Sequence, residues 1–138
     1  MAMLYNFGDE WVFKSPTLKG ISEDGVEASF QYQAGIYALF NSKKEIVYVG
    51  LAGIGNKQGI GRRLNEHHKV KGRAFQWEKF SWVGFRDVDK HGNLMPLRQN
   101  INSKETIKDV ETLLIYLIGP KYNAGQSRYK HIKQFRQL

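Results

Sequence analysis

Residues 35 to 67 read GIYALFNSKKEIVYVGLAGIGNKQGIGRRLNEH, and this stretch decides the fold. Two runs of alternating apolar side chains, residues 35–40 and 46–51, flank the polar turn NSKK. Alternation with a period of two is typical of half-buried strands, so the pattern predicts a β-hairpin. With a four-residue loop, Tyr37 falls opposite Tyr48 and both phenols face the same side, which is a prediction of register.

A glycine-rich segment, residues 52–61, follows the hairpin. Its glycine spacing differs from the dinucleotide-binding fingerprint, and no Lys-Ser or Lys-Thr pair completes a phosphate loop. A flexible loop is the better interpretation, although its amides and Lys57 could still approach a phosphate. Residues 60–69 are then predicted to form a short helix, in which Arg63 and His67 share one face because they lie four positions apart.

The second half of the chain predicts a strand at 80–88, a turn at 89–93 and the longest helix at 104–118. Ser103 is a plausible N-cap of that helix, and Gly119-Pro120 ends it.

Glu111 is the informative position of the long helix. A helical wheel places it inside an apolar arc, with Thr112 on the polar side. A carboxylate in such an arc is costly to bury unless a cation or several donors satisfy it. The predicted arc consists of Ile107, Val110, Leu114, Ile115, Leu117 and Ile118.

Residues 1–33 give weaker signals. A short strand at 11–13 and an edge strand at 28–32 are the two elements that the pattern allows. We interpret this segment as an elaboration that packs on the core or contributes to the substrate surface.

Composition sets outer limits. The chain of 138 residues has the size of one domain, contains no cysteine and carries a net charge of +8. Without cysteine there are no disulfides, thiolate nucleophiles or cysteine zinc sites, and a reducing cytoplasm is the simplest location. No run approaches the length of a membrane span, and the N-terminus does not resemble a secretory signal.

The positive charge is concentrated after the second strand of the hairpin. Such an excess attracts polyanions, so we predict a nucleic-acid-binding surface, although many small proteins are basic for solubility alone. The candidate contacts, beside Arg63, are Lys57, Arg62, Lys69, Lys71 and Arg73.

Gly35-Ile36-Tyr37 and Tyr48-Val49-Gly50, separated by ten residues, resemble the two half-motifs of the GIY-YIG nuclease superfamily, with Val in place of the middle Ile of the second half. The resemblance covers residues 34–125 and is nearest to standalone or restriction-like members. It implies an α+β fold with a small, mainly antiparallel three-stranded central sheet flanked by helices. Residues 1–33 would be an N-terminal extension and 126–138 a basic C-terminal tail of this single domain, residues 1–138.

The resemblance also implies roles for the candidate catalytic residues. Tyr48 looks like the general base or its relay, and Tyr37 looks like a positioning group. Arg63 looks like the phosphate clamp, and His67 lies where several members carry a histidine near the base and phosphate. Taken singly, each of these side chains has an ordinary structural or surface explanation.

Three further positions complete the comparison. Glu111 matches the metal-binding glutamate, and Asn123 matches a downstream asparagine whose amide braces the site. Many members carry a lysine directly after the second half-motif, where this chain has Leu51. Lys57 could replace that lysine; otherwise the water-activating network is weaker than usual.

These inferences predict an endonuclease that hydrolyses DNA by a one-metal mechanism with Mg²⁺, or with Mn²⁺ as a substitute. The alternative is a DNA-binding module on the same scaffold that no longer cuts, as Leu51 suggests; a nucleotide-binding protein using the glycine loop has little support. DNA is the expected partner, with no membrane and no small-molecule cofactor, and the protein would be a monomer or a homodimer.

Overall fold

The computed structural model describes residues 6–14, 17–54, 58–70, 75–97 and 104–123. Within these residues the fold is α+β, as predicted, with a four-stranded sheet in the order β1-β6-β4-β5 and every neighbouring pair antiparallel. The remaining two strands, β2 and β3, form a separate antiparallel ribbon. The strands are β1 (Asn6–Val12), β2 (Lys19–Ile21), β3 (Glu27–Ser29), β4 (Gly35–Phe40), β5 (Ile46–Ala52) and β6 (Lys79–Gly84), and the helices are α1 (Ile60–Lys69) and α2 (Lys104–Ile118).

The prediction of a three-stranded sheet was wrong, because β1 adds a fourth strand along the outer edge of β6. One extra residue between Gly8 and Trp11 breaks the alternation of β1, and Glu10 adopts a positive φ of 52° there. The predicted short strand at 11–13 therefore captured only the end of β1, because the bulge interrupts the alternation before Trp11. The predicted edge strand at 28–32 also differs, since β3 ends at Ser29 and pairs with β2 instead of the central sheet.

The hairpin formed by β4 and β5 is confirmed, but its predicted register was wrong. Tyr37 lies opposite Gly50, and Leu39 lies opposite Tyr48. The loop is one residue longer than expected, since Phe40 pairs with Ile46, and an irregularity between Leu39 and Phe40 adds a second residue on β5. A shift of two residues keeps every side chain on its face, so the two phenols still share a side as predicted.

The third predicted strand ends at Gly84 instead of Val88. Beyond it the side chain of Gln33 takes over the pairing, because its amide accepts from the Arg86 N–H and donates to the Arg86 carbonyl, both at 2.9 Å. The chain then makes an isolated bridge between Val88 and Leu94. This bridge flanks the predicted turn at 89–93, which is confirmed.

Helices α1 and α2 have the predicted bounds, and the Ser103 cap lies outside the described residues. The predicted apolar arc of α2 was partly wrong. Val110 and Ile118 are each 39% exposed, whereas Thr112 is buried and donates its hydroxyl to the Lys108 carbonyl at 2.7 Å. Helix α2 packs mainly on the edge strand β5, which covers a narrow strip of the helix, and the hydroxyl is satisfied internally.

The sheet separates two apolar clusters, because successive side chains of a strand point to opposite faces. Tyr37 and Trp82 belong to the larger cluster with Leu64 of α1, and Ile36 and Val83 pack in the smaller one. The core therefore holds the hairpin between α1 and α2. Neither helix, within the part of the chain that the structure describes, has the length and hydropathy needed to cross a bilayer.

Candidate active site

The two tyrosines of the half-motifs lie side by side on the α1 face of the sheet, with ring centroids 6.0 Å apart. Tyr37 is 1% exposed, and its phenol lies directly over Gly50. A Cβ at position 50 would come within 2.5 Å of Cζ and the hydroxyl oxygen of Tyr37. The glycine of the second half-motif is therefore required by the tyrosine of the first.

His67 approaches the tyrosines from α1. Its Nε2 lies 2.8 Å from the Tyr37 hydroxyl, and its ring centroid lies 4.7 Å from that of Tyr48. Burial, followed by the positive charge of Arg63, lowers the pKa of His67 to about 4. The imidazole is therefore neutral at pH 7, and in the tautomer that carries its hydrogen on Nδ1 the Nε2 atom accepts the Tyr37 proton.

Both phenols are protonated at neutral pH. Burial raises the pKa of Tyr37 well above its ordinary value, and the neighbouring Tyr48 raises it further. Burial also raises the pKa of Tyr48, whereas a hydrogen bond with Tyr37 opposes that shift. Tyr48, Tyr37 and His67 thus form one hydrogen-bonded series.

Arg63 lies one turn before His67 on α1, and its side chain is half exposed. Its Nη1 lies 3.0 Å from Oε2 of Glu66, and its charge also acts on both phenols. Arg62 pairs with the other oxygen of Glu66, again at 3.0 Å. One carboxylate therefore holds two adjacent guanidinium groups at the edge of the site.

Glu111 faces the site from α2. Its carboxylate accepts a hydrogen bond from the backbone N–H of Leu51, and Lys108 and Arg63 act on its charge. Burial nevertheless dominates and raises the pKa of this carboxyl. The same carboxylate acts electrostatically on Tyr37 and Tyr48, so groups from β4, β5, α1 and α2 converge.

Asn123 lies in a short 3-10 helix, Lys121–Asn123, and its amide bonds to Val49 instead of to the rings of the site. Its buried amide accepts from the Val49 N–H at 2.7 Å and donates to the Val49 carbonyl at 2.8 Å. It therefore pairs with the outer edge of β5 as another strand would. Together with Glu111 on the next outward amide, it positions the strand that carries Tyr48.

Sequence reasoning missed three contributions to this site. Phe75 packs on His67 and Tyr48, at centroid distances of 5.2 and 6.1 Å, but no periodic pattern marks it. The part of Leu51 that matters is its backbone amide, which a side-chain pattern cannot reveal. The ion pairs of Glu66 could have been predicted from the sequence, since Glu66 follows Arg63 by three positions and Arg62 by four.

The predicted nucleic-acid contacts are only partly described. Arg62 and Lys69 are exposed on α1. The other three positions are Lys57, Lys71 and Arg73, and they lie outside the described residues. The replacement by Lys57 of the lysine that is missing at position 51 therefore stays a prediction.

The donor set at Glu111 fits Mg²⁺. The described residues contain no cluster of three or more His, Cys, Asp or Glu side chains, so Glu111 would be a single protein carboxylate. Mg²⁺ commonly binds through one or two carboxylates, with substrate phosphate and water as further ligands.

Comparisons with family models, with curated proteins and with solved structures gave no match to this chain.

Proposed function

We propose that this protein is a Mg²⁺-dependent endonuclease that hydrolyses DNA phosphodiester bonds at the site between Tyr37, Tyr48, Arg63 and Glu111. The observation that carries the proposal is the position of Glu111. A half-buried carboxylate acts on two phenols and a guanidinium that come from three other elements of the fold. The resemblance of the half-motifs to GIY-YIG nucleases supports the same assignment.

Glu111 would hold the metal, because its carboxylate is the acidic group that faces both phenols. Bound Mg²⁺ supplies charge neutralisation at the phosphate and lowers the pKa of a coordinated water. The hydrogen bond from the Leu51 N–H uses one acceptor position of the Glu111 carboxylate and fixes its orientation. A single protein ligand leaves the remaining positions to phosphate oxygens and water.

The phenols and His67 would move the proton that the attacking water gives up. A raised pKa keeps Tyr48 as a neutral phenol at pH 7, and a neutral phenol cannot hold a second proton, so the proton that it accepts must be matched by one that it releases. Tyr48 can pass its proton to Tyr37, and Tyr37 can pass its own to the neutral Nε2 of His67 at 2.8 Å. The proton ends on the imidazole, and the phenols return to their starting state.

Arg63 would hold the scissile phosphate. Its planar guanidinium matches two phosphate oxygens, and its charge stabilises the negative charge that develops in the transition state. The contact with Glu66 leaves one side of the guanidinium engaged, so phosphate must share or displace this partner. Helix α1 therefore carries both Arg63, which would bind the phosphate, and His67, which would accept the proton.

Nicking of supercoiled plasmid tests the proposal. We expect nicking with Mg²⁺ or Mn²⁺, none with chelator, and a loss of about 100-fold or more in Glu111→Gln and Tyr48→Phe. Glu78→Gln, which changes an exposed carboxylate away from the site, should nick at the wild-type rate. Wild-type nicking that persists in Glu111→Gln would contradict the assignment.

A DNA-binding module without cleavage is the second candidate. The observation in its favour is that the Leu51 side chain packs in the apolar cluster with Ile107 and Phe85, so position 51 supplies no cation to the site. This candidate predicts tight DNA binding with no nicking under any divalent cation.

A further inference from the structure

A cleft of about 670 Å³ lies beside the candidate site, between the β4–β5 loop and the end of α2. Its wall includes the Tyr122 ring, the exposed side chains of Lys43 and Lys121, and the strand residue Val47. The volume falls within the range of pockets that hold ligands the size of a nucleotide. None of the residues assigned to catalysis lines it.

One layer of aromatic rings separates the cleft from the catalytic residues. Tyr122 contacts Phe75 edge to face at a centroid distance of 4.7 Å, and Phe75 lies 5.2 Å from His67. Val47 directly precedes Tyr48 on β5. A strand whose phosphate lies at Arg63 would therefore have its neighbouring nucleotides near the cleft.

The wall combines groups that suit a base and a phosphate. Tyr122 offers an aromatic ring, and Nζ of Lys121 lies over that ring, 5.3 Å from its centroid, so a base that stacks on this face would displace the ammonium toward its phosphate. Lys43 adds a second ammonium from the loop across the cleft. Glu45 is the acid of this wall, and its carboxylate accepts from Asn41 at 2.8 Å, so the charges of Lys43, Lys121 and Glu45 sum to +1.

We propose that this cleft binds one unpaired nucleotide of the DNA strand that carries the scissile phosphate, with its base on Tyr122 and its phosphate between Lys43 and Lys121. The proposal rests on the proposed nuclease function and adds a substrate class to it. Inside a duplex each base face is covered by its neighbours, whereas an unpaired nucleotide presents a face that can stack on a protein ring. The enzyme would then prefer DNA with a flap, a gap or a single-stranded end.

Binding without cleavage tests this inference. Fluorescence anisotropy in chelator compares a labelled blunt duplex with the same duplex carrying a short single-stranded DNA extension. We expect the wild-type protein to bind the extended DNA at least about fivefold more tightly, which is the lower end of base–aromatic stacking. Tyr122→Leu should abolish this preference, and Tyr122→Phe should keep it.

The lysines provide a separate readout if Tyr122→Leu fails to fold. Lys43→Gln and Lys121→Gln should each reduce the slope of log affinity against log salt by about 0.7 for the extended DNA. Lys19→Gln, an exposed lysine on the ribbon, is the matched control and should leave the slope unchanged.

Equal binding of blunt and extended DNA by the wild-type protein would overturn the inference, as would unchanged salt slopes in both lysine variants. Tighter binding of an RNA extension than of the DNA one would overturn the choice of DNA. Nicking of plasmid by the same preparation separates the two levels. Nicking without a preference for extended DNA contradicts only the cleft, and a preference without nicking contradicts only the endonuclease.

Discussion

The Tyr37 hydroxyl lies 2.8 Å from Nε2 of His67, and this hydrogen bond joins the central hairpin to helix α1. Donation from the Tyr37 hydroxyl to Nε2 requires a neutral imidazole, because a protonated ring has no lone pair to accept with. Burial and Arg63 meet that requirement by holding the pKa of His67 near 4. The geometry and the electrostatics of the pair therefore agree.

We predict that His67 titrates near pH 4 and that Arg63→Met moves its pKa upward, toward the ordinary value of 6.5. Between pH 6.5 and about pH 4, the imidazole of His67 carries a proton in the unfolded chain but not in the folded chain. The free energy of unfolding therefore falls as the pH is lowered from 6.5 to about 4, by about 1–2 kcal/mol after allowance for the exposed part of the ring. NMR titration of the His67 ring protons in the wild type and in Arg63→Met checks the prediction. An unchanged His67 pKa in Arg63→Met would contradict the assigned cause.

Gly50→Ala should destabilise the protein by about 1–3 kcal/mol, because its Cβ would overlap the Tyr37 ring. Urea unfolding measures this cost. In a Tyr37→Ala background the overlap with Tyr37 disappears and only the contact with Cε1 of Tyr48, at 2.7 Å, remains, so adding Gly50→Ala there should cost less. Additive effects of the two substitutions would show that the glycine serves some purpose other than admitting the phenol.

The elements that were predicted well are those in which buried side chains recur at a regular spacing. Helix α1 keeps Ile60 and Leu64 buried at a spacing of four, and the hairpin alternates over two runs, so both were placed correctly. Of strand β1 only the end was predicted, as the short strand at 11–13, because its bulge interrupts the alternation before Trp11. Local periodicity carries no information on a residue that is added to one strand only.

The convergence of the site was predictable only through the resemblance. Nothing local to Glu111 states that its carboxylate reaches the Leu51 amide, because that contact depends on where α2 packs against the edge of β5. The apolar face of α2 was partly wrong for the same reason. A helical wheel does not show which side chains the packing of α2 on β5 buries. The hairpin register failed for a different reason, namely the two extra residues near the loop.

Asn123→Ala should cost about 2–4 kcal/mol, because it leaves the buried N–H and carbonyl of Val49 without partners at the sheet edge. Asn123→Asp keeps the acceptor for the N–H but places a carboxylate against the carbonyl, so we expect it to be no better. Thermal unfolding checks both. The replacement Ser81→Ala, at a partly buried position on β6, provides a control for general sensitivity of the sheet, and equal costs there would contradict a special role for the amide.

Glu66→Gln should strengthen DNA binding, because it releases Arg62 and Arg63 from the carboxylate that holds both. The free energy of unfolding should change by less than about 1 kcal/mol, as is usual for exposed ion pairs. Anisotropy titrations over a range of salt concentrations measure the affinity and its slope. Glu27→Gln removes one negative charge from the ribbon and controls for net charge. An equal gain in both variants would show that only net charge matters.

Glu111→Gln should raise the free energy of unfolding of the metal-free protein at pH 7 by up to about 1 kcal/mol, because it removes a charge that burial disfavours. Wild-type Glu111 takes up a proton above the ordinary carboxyl pKa, so the wild type gains stability relative to the variant as the pH falls through that window, and the advantage of the variant shrinks. Added Mg²⁺ should reverse the order, since only the carboxylate binds it: at ten times the dissociation constant the wild type gains about 1.4 kcal/mol. Urea unfolding with and without Mg²⁺ measures both effects. Equal stabilisation of the two proteins by Mg²⁺ would place the metal elsewhere, and with it the centre of the proposed chemistry.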